Sequence, residues 1–190
     1  MGKLIYLDCE MTGFSPEEND IISIQTQELD SSGNPIGKLI ILRSWESDEE
    51  QIVKDFYKNF VKEKLNPFDF IFVMQNSLFD FRFLISKFKK YNLDIGNPMD
   101  FCFSYPIIDL RTTLIIANNM QFKGSGLSSM TLKKTDGKMI PEYFKDKKYN
   151  LIEEYIIQET ESFIKAFQII IEHNKTLKPK LIEYKELIGN

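Results

Sequence analysis

The first quarter of the chain alternates between apolar and polar residues, as strands do. Three such runs begin at Lys3, Asp20 and Lys38, and the turn residues "SSGNPIG" separate the second run from the third. The two faces of the second run are expected to hold Ile22, Ile24, Thr26 and Glu28 on one side and Ser23, Gln25 and Gln27 on the other. We therefore expect an antiparallel meander of three strands over "KLIYLDCE", "DIISIQTQEL" and "KLIILRSW".

Helical spacing of apolar residues replaces this alternation after Ser47. The stretch "SDEE" fits a capping box, with Ser47 at the N-cap and Glu50 three residues later. After the first helix, the nearly all-apolar run "FDFIFVM" predicts a buried parallel strand. A second amphipathic helix follows over "SLFDFRFLISKFKKY", and its inward residues are expected to be Phe81, Leu84, Ile85 and Phe88.

The second half of the chain indicates a short strand, several loops and one long helix. We expect a strand at "YPIIDL" leading into the helical "RTTLIIANN", then a flexible loop at "FKGSGLSS" and a turn-rich stretch at "KTDGKMIPEYF". Apolar residues recur at helical spacing from about Leu151 to His173, which predicts one long helix. Three strands followed by alternating helices and strands indicate an α/β layered fold with a mixed sheet.

Length and composition limit the class of protein. The chain has 190 residues, of which 43% are apolar and 27% charged, and this favours one soluble domain over residues 1–190 with an extension from about residue 174. No apolar run approaches the roughly 18 residues of a membrane span, and strand-like sequence from Lys3 leaves no room for a signal peptide. Two cysteines, Cys9 and Cys102, agree with free thiols in a reducing cytoplasm.

The charge balance argues against one kind of partner. The net charge is −4, from 24 basic and 28 acidic residues, which disfavours bulk electrostatic binding to long duplex nucleic acid. A local basic groove is still compatible with this balance, with "SKFKKY" and the lysine-rich stretches of residues 128–149, "SSMTLKK", "DGK" and "FKDKKY", as candidates, although such runs usually form solvated faces. Most of the 16 phenylalanines are expected in the core, and a few could stack on bases.

Two acids inside the first predicted strand give the strongest chemical signal. Asp8 and Glu10 are two residues apart, so in an extended strand both side chains point to the face that also carries Tyr6 and Thr12. Two carboxylates so close repel each other, and a divalent cation relieves this repulsion because hard cations take oxygen ligands. For this pair alone, a solvated strand face is the other interpretation.

Two later segments contain acids that suit the same site. Asp80 lies among phenylalanines directly after the predicted parallel strand, where an acid needs a partner, although the first turn of a helix also favours an acid. Tyr155 and Glu159 are four residues apart, so they share a helical face. For this pair alone, the edge of an ordinary amphipathic helix is the other interpretation. The combination with Asp8 and Glu10 is more specific than any one segment.

Together these segments resemble the DEDD superfamily of 3′–5′ exonucleases, which have an RNase H-like fold. The first motif is similar to "LDCEMTGF", the second to "NSLFD" and the third to "YIIQET", so the resemblance spans residues 3 to about 170. The segments "YPIIDLRTTL", "GKMIPEYF" and "YIIQET" look most like the proofreading exonuclease domains of family B DNA polymerases, whereas "DCEMTG" is similar to small RNA exonucleases. The resemblance implies a mixed five-stranded sheet flanked by helices.

The resemblance also implies a two-metal mechanism at the 3′ end of single-stranded nucleic acid, with DNA favoured over RNA. The implied ligands of two Mg²⁺ or Mn²⁺ ions are Asp8, Glu10, Asp80 and Glu159. Tyr155 would orient the attacking water, as in the tyrosine branch, since the single histidine, His173, has no acid where the histidine branch requires one. The residues expected to contact the substrate strand are Met11, Thr12, Asn76 and Phe79.

The third motif departs from the family pattern at one position, and this leaves two alternatives open. The family has Asp where this chain has Glu159, whose extra methylene changes the reach of its carboxylate. Tyr149 and Glu153 have the same spacing as Tyr155 and Glu159 and compete for the role, although they lack the following Thr. The alternative function is a catalytically silent RNase H-like module that binds nucleic acid or a replication or repair partner. A third interpretation is a purely structural subunit of a replication or repair assembly, with the tail "TLKPKLIEYKELIGN" as its docking helix or as a simple packing helix.

Overall fold

The strands of the computed structural model form one five-stranded mixed sheet in the order β3-β2-β1-β4-β5. The structure describes residues 2–66, 68–130 and 137–188. Strand β1 pairs antiparallel with β2, and β2 with β3, whereas β1 and β4, and β4 and β5, run parallel. The strand bounds are Lys3–Met11 (β1), Ile21–Leu29 (β2), Pro35–Arg43 (β3), Phe70–Met74 (β4) and Ile107–Asp109 (β5).

Helices flank this sheet, so the predicted five-stranded mixed sheet and α/β class are confirmed. The helix bounds are Glu49–Tyr57 (α1), Ser77–Lys90 (α2), Pro98–Phe103 (α3), Leu110–Ala117 (α4), Leu127–Met130 (α5), Ile140–Lys145 (α6), Tyr149–Asn174 (α7) and Leu177–Ile188 (α8). A π-helical turn at Lys58–Lys62 extends α1, and a 3₁₀ turn at Gly137–Met139 precedes α6. Among the described helices, none is both long and apolar enough to cross a membrane.

Strand β1 separates the core into two layers. Its odd-numbered residues Ile5, Leu7 and Cys9 pack in one cluster with α1 and α2, which we call the α2 side of the sheet. Tyr6 packs in another cluster with Phe163 of α7, on the α7 side, with ring centroids 4.6 Å apart. Because strand side chains alternate, the even-numbered acids that follow Tyr6 face the α7 side.

A β-bulge changes the phase of β2 where it pairs with the end of β1. Glu10 pairs with Ser23, but Met11 pairs with Ile21, so Ile22 is the extra residue. As a result Ile24 packs on the α2 side, whereas Ile22 packs against α6 and α7. The expectation that Ile22 and Ile24 share a face is therefore wrong, because an extra residue shifts the alternation.

Local details differ from the sequence expectations at the ends of elements. Asp48, not Ser47, is the N-cap of α1, and its carboxylate accepts a hydrogen bond of 2.8 Å from the Gln51 backbone N–H. The predicted flexible loop is helical from Leu127 onward, and α3 lies where no element was expected. The predicted turn-rich stretch is helical from Ile140, with Pro141 in the first turn, where its missing N–H is not needed.

A buried lysine ties the β1–β2 loop (residues 12–20) to both neighbouring helices. Lys87 of α2 is 1% exposed and donates a hydrogen bond of 2.5 Å to the Asn19 carbonyl. Its ammonium also lies 3.2 Å from Glu49 of α1 and 3.4 Å from Asp20. Glu49 in turn accepts a hydrogen bond of 2.6 Å from the Ile21 N–H. The loop that follows the first motif is thus fixed by a charge that has no access to water.

We expect Lys87→Met to lower the free energy of unfolding by about 1–3 kcal/mol, because the Asn19 carbonyl and the Glu49 carboxylate lose a buried donor. Urea denaturation measures this loss. The matched control is Lys89→Met, since Lys89 is exposed on the same helix and its replacement is expected to change stability by less than about 0.5 kcal/mol. Equal losses in the two variants would contradict the role assigned to Lys87.

Candidate metal centre

Three carboxylates meet where β1 passes α7. Oxygens of Asp8, Glu10 and Glu159 all lie within 4.8 Å of one another. The contact between Tyr6 and Phe163 explains why, since Asp8 is two residues after Tyr6 and Glu159 is one helical turn before Phe163. Strand and helix periodicity therefore bring all three acids to the same gap between β1 and α7. Glu159, in the third motif, thus lies next to the two strand acids.

The neighbouring strand orients the Asp8 carboxylate. Gln25 pairs directly with Asp8 across β1 and β2, and its Nε2 donates a hydrogen bond of 2.6 Å to Asp8 Oδ2. Gln25 is wholly buried, and the Ser23 hydroxyl donates to its Oε1 at 3.3 Å. This arrangement fixes one carboxylate of the cluster without neutralising it. The sequence assigned Gln25 only to a strand face and gave no indication of this role.

Asp80 lies close to the cluster but is not one of the three mutually adjacent acids. It is 3% exposed in the first turn of α2. Burial raises the pKa of its carboxyl well above the ordinary value, and the negative charges of Asp8, Glu159 and Asp109 raise it further. Asp80 therefore shares the electrostatic field of the strand acids, as the resemblance to the second motif implies.

Asp109 is a site residue that the sequence analysis missed. It ends β5, and its carboxylate accepts hydrogen bonds from the Ser77 N–H and hydroxyl, both at 2.7 Å, and from the Asn76 N–H at 3.0 Å. It also caps α4 by accepting a bond of 2.8 Å from the Arg111 N–H. One carboxylate thus holds the starts of α2 and α4 together. An acid just before the helical run "LRTTL" is an N-cap signal that could have identified it.

Tyr155 is held as a hydrogen-bond donor. It is 5% exposed, and burial, the charges of Glu10 and Glu159 and a hydrogen bond with Glu159 raise its pKa above the ordinary value for tyrosine. The phenol therefore keeps its proton throughout the physiological pH range. Gly137 lies directly against it, since a Cβ at residue 137 would be 2.7 Å from the Tyr155 hydroxyl.

The competing pair Tyr149 and Glu153 has other roles. The Tyr149 ring stacks on Trp45 at 5.2 Å, and Glu153 accepts a hydrogen bond of 2.6 Å from Arg43 Nε. Glu153 is not part of the group formed by the strand acids and Glu159. The geometry thus favours Tyr155 and Glu159 over the pair one turn and a half earlier.

The residues expected to contact substrate differ in accessibility. Asn76 is exposed in a left-handed conformation (φ 63°), and Thr12 is half-buried and holds the β1–β2 loop through its hydroxyl, which accepts from the Asp20 N–H at 2.9 Å. Met11 is 7% exposed in the core, so it offers little surface to a base. Phe79 is half-buried beside Phe14, whose ring is 82% exposed. Phe14 is therefore the more accessible aromatic surface.

The donor set fits a hard divalent cation. The three clustered residues offer carboxylate oxygens alone, which suit Mg²⁺ or Mn²⁺ and not the nitrogen- and sulfur-rich sites typical of structural zinc. The pKa of Asp80 is raised first by its burial and then by the negative charges of Asp8, Glu159 and Asp109. A cation would relieve this repulsion, and Asp8, Glu10 and Glu159 are the residues placed to hold it.

Comparison with known families agrees with this architecture. A family model described as the RNase_H superfamily matches residues 5–176, which is most of the chain. The protein belongs to this superfamily. No curated protein sequence matches the chain.

Solved structures of Exonuclease I share the fold. The zinc-bound E. coli Exonuclease I–ssDNA complex superposes with a TM-score of 0.62 and 13% identity, covering 97% of this chain and 42% of that one. An E. coli Exonuclease I complex with a dT13 oligonucleotide gives 0.61 and 15%, covering 97% and 43%. Exonuclease I with the inhibitor BCBP gives 0.61 and 14%, covering 100% and 44%. This chain therefore spans less than half the length of the structures it resembles.

We expect Asp80→Asn to stabilise the metal-free protein at neutral pH. The carboxyl of an unfolded Asp has a pKa of about 3.9, and the Asp80 carboxyl of the folded protein has a higher pKa. Between these two pKa values the folded protein retains a proton that the unfolded protein has lost. Stability from this group is therefore present at acid pH and lost toward neutral pH. Removing the charge should raise the metal-free Tm by about 2–4 °C per kcal/mol relieved, and the gain should vanish near pH 3.

Thermal unfolding with chelator, from pH 3 to pH 8, measures this effect. Asp100→Asn, which changes an exposed acid on α3, is the matched control and should show no such pH-dependent gain. Added Mn²⁺ should stabilise the wild type more than Asp80→Asn. An Asp80→Asn protein less stable than wild type at pH 7 without metal would contradict the destabilisation that burial and neighbouring acids impose on the Asp80 charge.

Gly137→Ala should disturb Tyr155 through a steric conflict, because the added methyl meets the phenol oxygen. We expect a loss of about 1–3 kcal/mol in the free energy of unfolding, as for overpacked sites. In a Tyr155→Phe background the oxygen is absent, so the same change should cost markedly less. A double-mutant cycle by urea denaturation gives the coupling, and additive losses would exclude the contact.

Proposed function

We propose that the protein is a metal-dependent 3′–5′ exonuclease of the tyrosine branch, acting on single-stranded nucleic acid and on DNA more readily than RNA. The observation that carries this proposal is the convergence of Asp8, Glu10 and Glu159 beside a protonated tyrosine on the same helix. Asp80, in the same field, is the fourth proposed ligand. Two bound Mg²⁺ or Mn²⁺ ions would supply an activated water and offset the charge on the leaving oxygen.

Side chains of the protein would orient the attacking water, position the acids and bind the terminal base. Tyr155 keeps its proton, so it is suited to donate a hydrogen bond that orients the attacking water, and unsuited to act as a base. Gln25 holds Asp8, and Asp109 holds the turn that carries Asn76. The exposed Phe14 ring beside Phe79 offers a stacking surface for a terminal base.

We propose DNA as the first substrate to test and a replication or repair protein as the class of partner. Two observations support these choices. The sequence resembles proofreading exonuclease domains, and solved Exonuclease I structures contain ssDNA or an SSB C-terminus. At 13% identity these structures establish the fold alone, so substrate and partner are proposals for this chain. The net charge of −4 agrees with a single-stranded end held at metal ions better than with a long duplex.

The geometry supports an active enzyme over a silent binding module. The silent module was suggested by Glu159, because a glutamate replaces the usual aspartate. Glu159 nevertheless lies within 4.8 Å of both strand acids, which is the position that a metal ligand needs.

We expect the purified protein to shorten 5′-labelled single-stranded oligonucleotides from the 3′ end with Mg²⁺ or Mn²⁺, and to leave a circular single strand intact. Asp8→Asn should abolish shortening, and Tyr155→Phe should slow it by about 10- to 100-fold, as expected when a positioning hydrogen bond is lost. Gel electrophoresis of timed samples resolves the ladder of products on DNA and RNA.

The matched control is Glu161→Gln, which removes an exposed acid from the same helix and should shorten substrates at the wild-type rate. Loss of the circular strand would show endonuclease action instead. Failure of the wild type to shorten any linear strand, or wild-type rates in Asp8→Asn, would refute the proposed function.

A further inference from the structure

An exposed apolar and basic surface lies beside the proposed metal site and is separate from the residues assigned to it. It is formed by the α4–α5 loop (residues 118–126) and the start of α4. Met120 and Phe122 in this loop are 74% and 68% exposed. Leu110 and Leu127, at either end, pack with Phe163 of α7, so the loop is anchored on the α7 side, where the acids lie.

Hydrogen bonds give the α4–α5 loop a defined shape. The Asn118 side-chain amide donates to the carbonyls of Gln121 and Lys123, at 2.8 and 2.9 Å. The hydroxyl of Ser125, which is wholly buried, donates to the Phe122 carbonyl at 2.7 Å. These bonds define the backbone on both sides of the exposed ring, within the stretch "FKGSGLSS".

The backbone of this loop is strained where it turns Met120 outward. Asn119 and Met120 have φ values of 53° and 62°, in the left-handed region that residues other than glycine disfavour. Such strain persists when the surrounding structure enforces it, and it concentrates at functional sites. Here the strained turn keeps two large apolar side chains in solvent, where they gain nothing from burial.

An arginine completes this surface. The Arg111 guanidinium lies 4.2 Å from the centroid of the Phe122 ring. Its Nε is buried and has no hydrogen-bond partner among the described residues. The Arg111 backbone N–H bonds to Asp109, whose carboxylate also holds Asn76 of the second motif. The backbone of Arg111 is thus tied through Asp109 to the turn that carries Asn76, and its guanidinium lies over the Phe122 ring.

We propose that Arg111, Met120 and Phe122 form a second strand-binding site, which takes nucleotides on the 5′ side of the bond to be cleaved. An aromatic ring with an exposed surface stacks a base of any identity, and a guanidinium pairs with phosphate. The exposed Lys123 adds positive charge at the same place. This inference rests on the proposed function, and it makes the substrate a strand several nucleotides long.

Binding of labelled oligonucleotides of 2 to 12 nucleotides, with Ca²⁺ in place of the catalytic ions, tests this site by fluorescence anisotropy. Phe122→Ala should weaken binding of the 12-mer by about 5- to 100-fold, the loss expected for one stacked base, and weaken the dinucleotide far less. Arg111→Met should lower the slope of log K against log salt by about 0.7, the contribution of one phosphate contact on a single strand. The matched control is Phe103→Ala on α3, which is 80% exposed and should bind both lengths as wild type does.

Each outcome separates this site from the exonuclease. Equal binding of the 12-mer by Phe122→Ala and wild type, or losses that do not depend on length, would overturn the second site, even if shortening is observed. Length-dependent loss without any shortening by the wild type would uphold the second site and refute the exonuclease. Absence of oligonucleotide binding by the wild type would overturn the second site and leave this surface to a protein partner.

Discussion

Repulsion among carboxylates is the constraint on which the rest of this structure depends. Asp8, Glu10 and Glu159 are held within 4.8 Å of one another, and Asp80 adds a fourth acid nearby. A fold that closes around so much like charge must be stabilised elsewhere, and the aromatic core on the α2 side and the packing of α7 do this. A divalent cation held by these carboxylates would offset their like charge, and its binding would then stabilise the folded protein.

The two faces of the sheet differ in role: the α2 side contributes core packing, and the α7 side carries the clustered acids. From Ile5 onward one face of β1 is apolar and packs against α1 and α2, while the other changes from core at Tyr6 to acids at Asp8 and Glu10. The bulge at Ile22 then lets β2 supply an apolar contact to α7 just beside the acids. The site therefore lies where a buried strand reaches the edge of its core, which allows carboxylates to be both fixed and accessible.

The sequence predicted those features that depend on local periodicity. Strand alternation placed Asp8 and Glu10 together, and helical spacing placed Tyr155 with Glu159. It missed the bond from Gln25 to Asp8 and the bonds from Ser77 to Asp109, because these join distant segments; only the capping of α4 by Asp109 leaves a local signal. The phase error at Ile22 has the same origin, since a bulge depends on the partner strand. The resemblance to known motifs, and not periodicity, linked Asp80 to the strand acids.

Helix α7 carries both the acid of the site and the rings that bury the back of the sheet. Glu159 and Phe163 are fixed relative to each other by a single turn, so one inserted residue between them would rotate the two groups apart by about 100°. The helix cannot slide to absorb such an insertion, because it is buried on both sides of Glu159 along the chain. Ile152 and Ile156 are buried before it, and Phe163 and Phe167 are buried after it. The packing of α7 therefore constrains the number of residues between Glu159 and Phe163 more tightly than the length of the acid side chain at position 159.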